Sequence, residues 1–277
     1  GEADDQDIQT ARRIPPRGLA YYYALDRAAP SGHPARERTA DLLELYTPRN
    51  LSALMDLALR LEGLEADREV KMVLAAALLD CCDACASLDH YDEPPHRPRT
   101  LRVPPLFLER NVWLCFEECF SRLLAEESLA ALHPAADVAA LVRGEAQGYA
   151  LASHAARDVQ KVVQPASVAL IVADPLRPDA VFWALAALWA CWLWDTPAAH
   201  AMRPFLRRRR FDWEWHWRVL RMALNAAGPL LTADGHLITL FYEHDVALLE
   251  SVALAASGAG YTLAGWGYGP EAGYRLV

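Results

Sequence analysis

Four places in the sequence carry residue types and spacings that could do chemistry. The first is basic: Arg203, Arg207, Arg208, Arg209 and Arg210 lead into Phe211-Asp212-Trp213-Glu214-Trp215-His216-Trp217. Guanidinium groups beside indoles suit contact with phosphates and stacking on bases. The same run also reads as a solvated arginine loop entering a helix anchored by tryptophans. The second is Asp174, followed by Pro175, Leu176 and Arg177 after an apolar, β-branched run. Asp and Pro commonly end a strand. The carboxyl end of a parallel strand is also where open α/β sheets place ligands. The third is Leu45-Tyr46-Thr47-Pro48-Arg49. It could start a helix whose free N–H groups face a carboxylate, although Thr-Pro is an ordinary helix start as well. The fourth is the set Cys82, Cys85, Cys115 and Cys119, with C-x2-C and C-x3-C spacing. Its segments are apolar and helical, unlike zinc knuckles, so the expectation is packing rather than metal binding. Neither a Gly-x-Ser-x-Gly elbow nor a helical His-x-x-x-His pair occurs, which removes support from hydrolase and metalloenzyme readings.

Bulk properties bound these options. A chain of 277 residues suffices for one large domain or two small ones. The net charge of −9 argues against a protein that coats nucleic acid through a basic surface, and leaves room for local patches. The run from Ala180 to Trp194 is too short to span a bilayer, so no membrane segment is expected. Residues 1–5 resemble neither a signal nor a transit peptide. Six cysteines without a disulfide-like pattern suit a reducing, cytoplasmic setting.

The elements that must position these residues follow from periodicity. Residues 1–40 read as an irregular arm with a short helix at Tyr21-Tyr22-Tyr23 covering a core edge. A helical region then runs over 41–147. Thr47 and Pro48 start one helix, a second covers about 66–88 with Val70, Val73, Leu74, Ala77 and Leu78 inward, and residues 91–106 form a loop. A third helix over 112–126 places Trp113, Phe116, Phe120 and Leu123 on one face, and a weaker helix follows over 135–147. Within 148–277 strands and helices alternate. The spacing predicts a short strand at 149–153 and a strand at 167–173 buried on both faces, then helices at 179–195 and 212–230. A turn at Ala233-Asp234-Gly235, a strand at 236–242, a helix at 245–257, a strand at 261–266 and a last strand near 274–277 complete the series. Such alternation implies a parallel sheet covered by helices, with the closing strand pair antiparallel.

This series resembles the last third of amino-methylating DNA methyltransferases, which act on N6 of adenine or N4 of cytosine. In that family the place of Asp174-Pro175-Leu176-Arg177 holds an Asp or Asn, two prolines and an aromatic residue. Leu231–Ile238 and Ala259–Leu263 are similar to the strands that follow it. The resemblance covers roughly the last 110 residues by strand–helix count. It implies that Asp174, with the carbonyls of Pro175 and Leu176, accepts hydrogen bonds from an exocyclic amine and concentrates its lone pair. It further implies that Arg177 or Trp183 contacts a base taken out of the duplex, and that Arg207, Arg208, Arg209 and Arg210 meet phosphates. Tyr46-Thr47-Pro48 resembles a segment touching the methyl donor, S-adenosylmethionine. Leu176 stands where the family has proline and Arg177 where it has an aromatic. The family's glycine-rich donor turn is absent, and Gly258-x-Gly260 and Gly265-Trp266-Gly267-Tyr268-Gly269 fall where late strands belong.

The expectation is therefore an α/β fold, a partial Rossmann-like methyltransferase sheet preceded by a helical region. The expected function is a DNA amino-methyltransferase-like protein whose donor is held largely outside this chain. The rival is a non-catalytic scaffold subunit completed by a partner chain. Either reading leaves the edge of strand 168–173 open for a partner, because open edges are normally covered.

Overall fold

The computed structural model describes residues 13–88, 100–125, 137–151, 155–175, 177–194, 196–207, 212–241, 245–269 and 273–276, together with residues 6, 9, 133 and 135. In chain order the helices of the first half are α1 (Leu19–Ala28), α2 (Arg36–Leu43), α3 (Pro48–Glu62), α4 (Arg68–Ala84), α5 (Val112–Ala125) and α6 (Val138–Val142). A 3-10 turn at Ala156–Lys161 precedes β1 (Val168–Ala173), α7 (Ala180–Leu193), α8 (Thr196–Arg207) and α9 (Trp213–Ala227). The chain closes with β2 (Leu231–Phe241), α10 (Val246–Gly258), β3 (Trp266–Gly269) and β4 (Gly273–Leu276). It is a mixed α/β protein dominated by helix. No helix among the described residues is long and apolar enough to cross a membrane.

The chain divides into two compact units, residues 1–127 with 179–209, and residues 128–178 with 210–277. This differs from the expected partition at 147/148. The helix after β1 was assigned to the sheet, yet α7 is the central helix of the first unit. It is apolar nearly all round, as a helix surrounded by others must be. Val181, Ala184, Leu185, Leu188 and Trp192 all lie in the same core as residues of α1 to α5. Trp192 Nε1 donates to the Ala24 carbonyl at 3.1 Å, so the indole satisfies its one donor while filling the core.

Within the expected irregular arm, residues 19–40 are largely helical: α1 and most of α2 fall there, and Tyr21, Ala24, Leu25 and Ala28 are buried. Tyr21 covers the core as expected, whereas Tyr22 is exposed. Thr47 caps α3 by accepting from the Asn50 N–H at 3.2 Å, with Pro48 in the first turn, as the sequence suggested. On α4 the buried strip is Ala75, Ala77, Leu78, Cys81 and Cys82, while Val70 and Val73 are exposed because its neighbours cover only the later turns. On α5 the period was legible and its phase only in part. Phe116 and Phe120 are half-buried and pack against the core, Val112, Cys115 and Cys119 are buried more deeply, and Trp113 and Leu123 are exposed. Residues 91–99 of the expected loop lie outside the described residues.

In the second unit the strand order is β1-β2-β4-β3, with β1 parallel to β2 and the other pairs antiparallel. The closing pair is antiparallel as expected. The strand foreseen at 261–266 begins only at Trp266, residues 261–265 have no regular structure, and Tyr149 makes an isolated bridge where a strand at 149–153 was foreseen. Leu231 pairs with Val168 and His236 with Leu170, so the anticipated turn at 233–235 is a bulge inside β2.

Pleating sorts β2 into two faces. Thr239 and Phe241 are buried, and Phe241 packs with Leu248 and Val252 of α10 and with Trp213 and Leu220 of α9. The opposite face carries Leu170 and Val172 of β1, which are 50% and 57% exposed. The expectation that this strand is buried on both faces is thus corrected. Its apolar run reflects an edge strand with one open face.

Candidate functional site

Asp174 and Pro175 follow β1 directly, and Asp174 is exposed at the carboxyl end of the parallel pair β1/β2. Leu176 lies outside the described residues. Arg177 turns its Nη1 toward Asp245 Oδ2 at 3.8 Å, with both side chains about one-fifth exposed (19% and 20%). Asp245 stands beyond the end of β2 and caps α10. Its Oδ1 accepts from the N–H groups of Ala247 at 3.0 Å and Leu248 at 3.3 Å. Arg177 therefore faces a carboxylate of the same unit. Sequence reasoning missed Asp245 as that partner. The available signal was an aspartate directly before an apolar helical run, which marks a cap.

Trp183, Arg207, Tyr46, Thr47 and Pro48 belong to the helical unit. Trp183 is half-buried, and its ring stacks on Phe205 of α8 at 5.0 Å between centroids and 19° between planes, which occupies one ring face. Arg207 ends α8 and is exposed, and Arg208, Arg209 and Arg210 lie outside the described residues.

Tyr46 is buried in the helical core. Its hydroxyl donates to the Cys82 carbonyl at 2.8 Å and accepts from Trp189 Nε1 at 2.7 Å. Burial pushes its pKa well above the ordinary tyrosine value, and the bond from Trp189 opposes this in part. Thr47 Oγ1 donates to Glu109 Oε1 at 2.5 Å while it caps α3. Arg49 grips the same carboxylate with Nε at 3.2 Å and Nη2 at 2.6 Å. The anion beside this helix start is thus the protein's own Glu109. The side-chain hydroxyls of Tyr46 and Thr47 are thus engaged within the protein.

Cys81, Cys82, Cys85, Cys115, Cys119 and Cys191 are all buried as free thiols. Among the described residues no group of three or more His, Cys, Asp or Glu side chains could hold a metal ion. Packing accounts for them, and burial pushes up the pKa of Cys81, Cys82, Cys85, Cys119 and Cys191.

Two features had no counterpart in the sequence reading. His216 of α9 and Ser251 of α10 share a hydrogen bond of 2.7 Å, Nδ1 to Oγ, at 7% and 4% exposure. Buried between two helices, the pair ties them together and is closed to a solvent-borne substrate. A hollow of about 740 Å³ lies between β2, the second half of α10 and residues 260–264. On β2 it is lined by Gly235, His236, Leu237 and Thr239, and Thr239 pairs with Ala173, the residue before Asp174. Neither Asp174 nor Asp245 is among its lining residues. Comparison of the chain with protein-family profiles, with curated proteins and with solved structures finds no match.

Proposed function

We propose that the chain is a DNA amino-methyltransferase-like subunit with a partial Rossmann-like sheet. On this reading Asp174 and the Pro175 carbonyl receive the exocyclic amine of a base. The supporting observation is the place of Asp174, exposed at the carboxyl end of a strand that runs parallel to its neighbour. An amine lone pair delocalised into the ring is a poor nucleophile. A carboxylate and a carbonyl accepting its two N–H bonds hold it out of conjugation. S-adenosylmethionine supplies the methyl group, and because the Tyr46-Thr47 groups are already engaged, the donor is held by a partner chain or by residues beyond those described.

The test has two arms. Calorimetric titration of the chain alone with S-adenosylmethionine should show no heat of binding, and micromolar binding would overturn the assignment of the donor to a partner. With a complementing partner, labelled methyl should reach DNA and be lost in Asp174→Ala. Equal transfer by that variant removes Asp174 from the mechanism.

A second reading, a scaffold subunit without catalysis, draws on the exposed Leu170 and Val172 of edge strand β1. Open edges and apolar faces invite a covering chain. It predicts a stable complex and no methyl transfer under any complementation.

A further inference from the structure

We propose that the hollow of about 570 Å³ bounded by His33, His200, Arg203 and Arg207 is a phosphate-binding site. The argument begins with spacing. His200, Arg203 and Arg207 stand at i, i+3 and i+7 on α8, which puts all three on one helix face. His33 comes from a different element, the turn between α1 and α2. That turn fixes its ring, since His33 N–H donates to the Pro30 carbonyl at 2.9 Å and Nδ1 accepts from the Ala35 N–H at 3.2 Å. With Nδ1 an acceptor, the neutral ring carries its proton on Nε2, which is a donor.

Arg203 and Arg207 put two positive charges beside His33. Burial lowers the pKa of His33, and the charges of Arg203, Arg207 and His200 lower it further. In a chain of net charge −9 this is a local excess of cation. Arg203 is anchored by Nη2 donating to the Arg27 carbonyl at 3.1 Å, and its Nε is buried with no hydrogen-bond partner among the described residues. The two guanidinium charges on one helix face are relieved by an anion. Two guanidinium forks and two imidazoles match the several acceptor oxygens of a phosphate better than the two of a carboxylate. The phosphate can belong to a nucleic-acid backbone or to a small phosphorylated molecule, since both offer the same oxygens. The site goes beyond the methyl-transfer reading: Asp174 can be idle and the hollow still bind.

Histidine proton resonances of the full chain report occupancy directly. Inorganic phosphate and a short single-stranded oligonucleotide are titrated separately in buffer free of other anions. The expected result is a rise in the His33 pKa on saturation by at least one of them, and about tenfold weaker binding in Arg207→Gln, the loss of one charge-assisted contact. A response to phosphate points to a small ligand, and a response to the oligonucleotide alone points to a backbone. No shift of His33 with either probe overturns the proposal, as does equal affinity in Arg203→Gln and Arg207→Gln. Should Arg203→Gln unfold through loss of its bond to Arg27, the exposed positions His200→Gln and Arg207→Gln give the same reading.

Discussion

Asp245 serves two elements at once: one carboxylate oxygen caps α10 while the other faces Arg177 Nη1 at 3.8 Å. The contact links the segment after β1 to the segment after β2, at the carboxyl end of the parallel pair. It shapes the surroundings of Asp174 through charge, since the guanidinium beside the motif faces a neighbouring carboxylate.

The two duties separate by substitution. Asp245→Ala removes cap and charge together and should cost about 1–2 kcal/mol in urea denaturation. Asp245→Asn keeps the cap, because Asn and Asp cap equally well, and should recover at least about half of that loss. An Asn variant as unstable as the Ala variant would show that the ion pair outweighs the cap.

The two faces of the sheet make a sharper contrast. Phe241 is 2% exposed among Leu248, Val252 and Trp213, so Phe241→Ala should cost about 3–5 kcal/mol. Val172, on the open face, should tolerate Val172→Lys within about 0.5 kcal/mol. Thermal and urea unfolding of both variants checks this. A large loss for Val172→Lys would mean that this face is covered in solution.

These residues also show what the sequence made legible. β1, α7, α9, α10 and the cap at Thr47 could be read because local physics decides them: β-branched runs, apolar periodicity and capping side chains act over a few residues. The phase of α5 could be read only in part: Phe116 and Phe120 pack against the core, yet the equally apolar Trp113 is exposed and Val112, Cys115 and Cys119 lie deepest. Only the neighbouring helices decide which set they cover. The open face of β1 was hidden for the same reason, since an apolar strand reads alike whether one face or both are covered. At the site, Asp174 was placed correctly at a strand end. The partners that occupy Arg177, Tyr46 and Thr47 are Asp245, Trp189 and Glu109, at separations of 68, 143 and 62 residues. No local pattern encodes contacts so distant in sequence.

Tyr46 offers a test of that occupied hydroxyl. Tyr46→Phe leaves Trp189 Nε1 without its acceptor and the Cys82 carbonyl without its donor, both in the core. The expected loss is about 1–3 kcal/mol, the cost of stranding buried polar groups, with altered tryptophan fluorescence from Trp189. Unchanged stability would release the hydroxyl from this role and return Tyr46 to the ligand-contact candidates.

The thiols fix a pH dependence. Burial is the leading cause of the raised Cys119 pKa, followed by the hydrogen bond to Asp80 at 3.1 Å and the charge of Asp80. The bond from Cys81 and the charge of Arg122 oppose it. Together they push Cys119 from 9.0 up to about 11. In the unfolded chain the thiol loses its proton near its ordinary value, while in the folded chain it holds that proton through two further units. The folded state therefore binds more protons over this window, and its stability, fully present below pH 9, falls as pH rises toward 11. Cys81 and Cys85, also pushed upward by burial, act in the same direction. Urea midpoints should be flat up to roughly pH 8 and decline steadily above it, and Cys119→Ala should reduce the decline by its own share. Alkylation follows the same logic, because only the thiolate attacks. Folded protein should resist iodoacetamide at neutral pH, with Cys119 the first to react as pH is raised. Rapid modification of all six thiols at neutral pH in the folded chain would contradict the burial from which both effects derive.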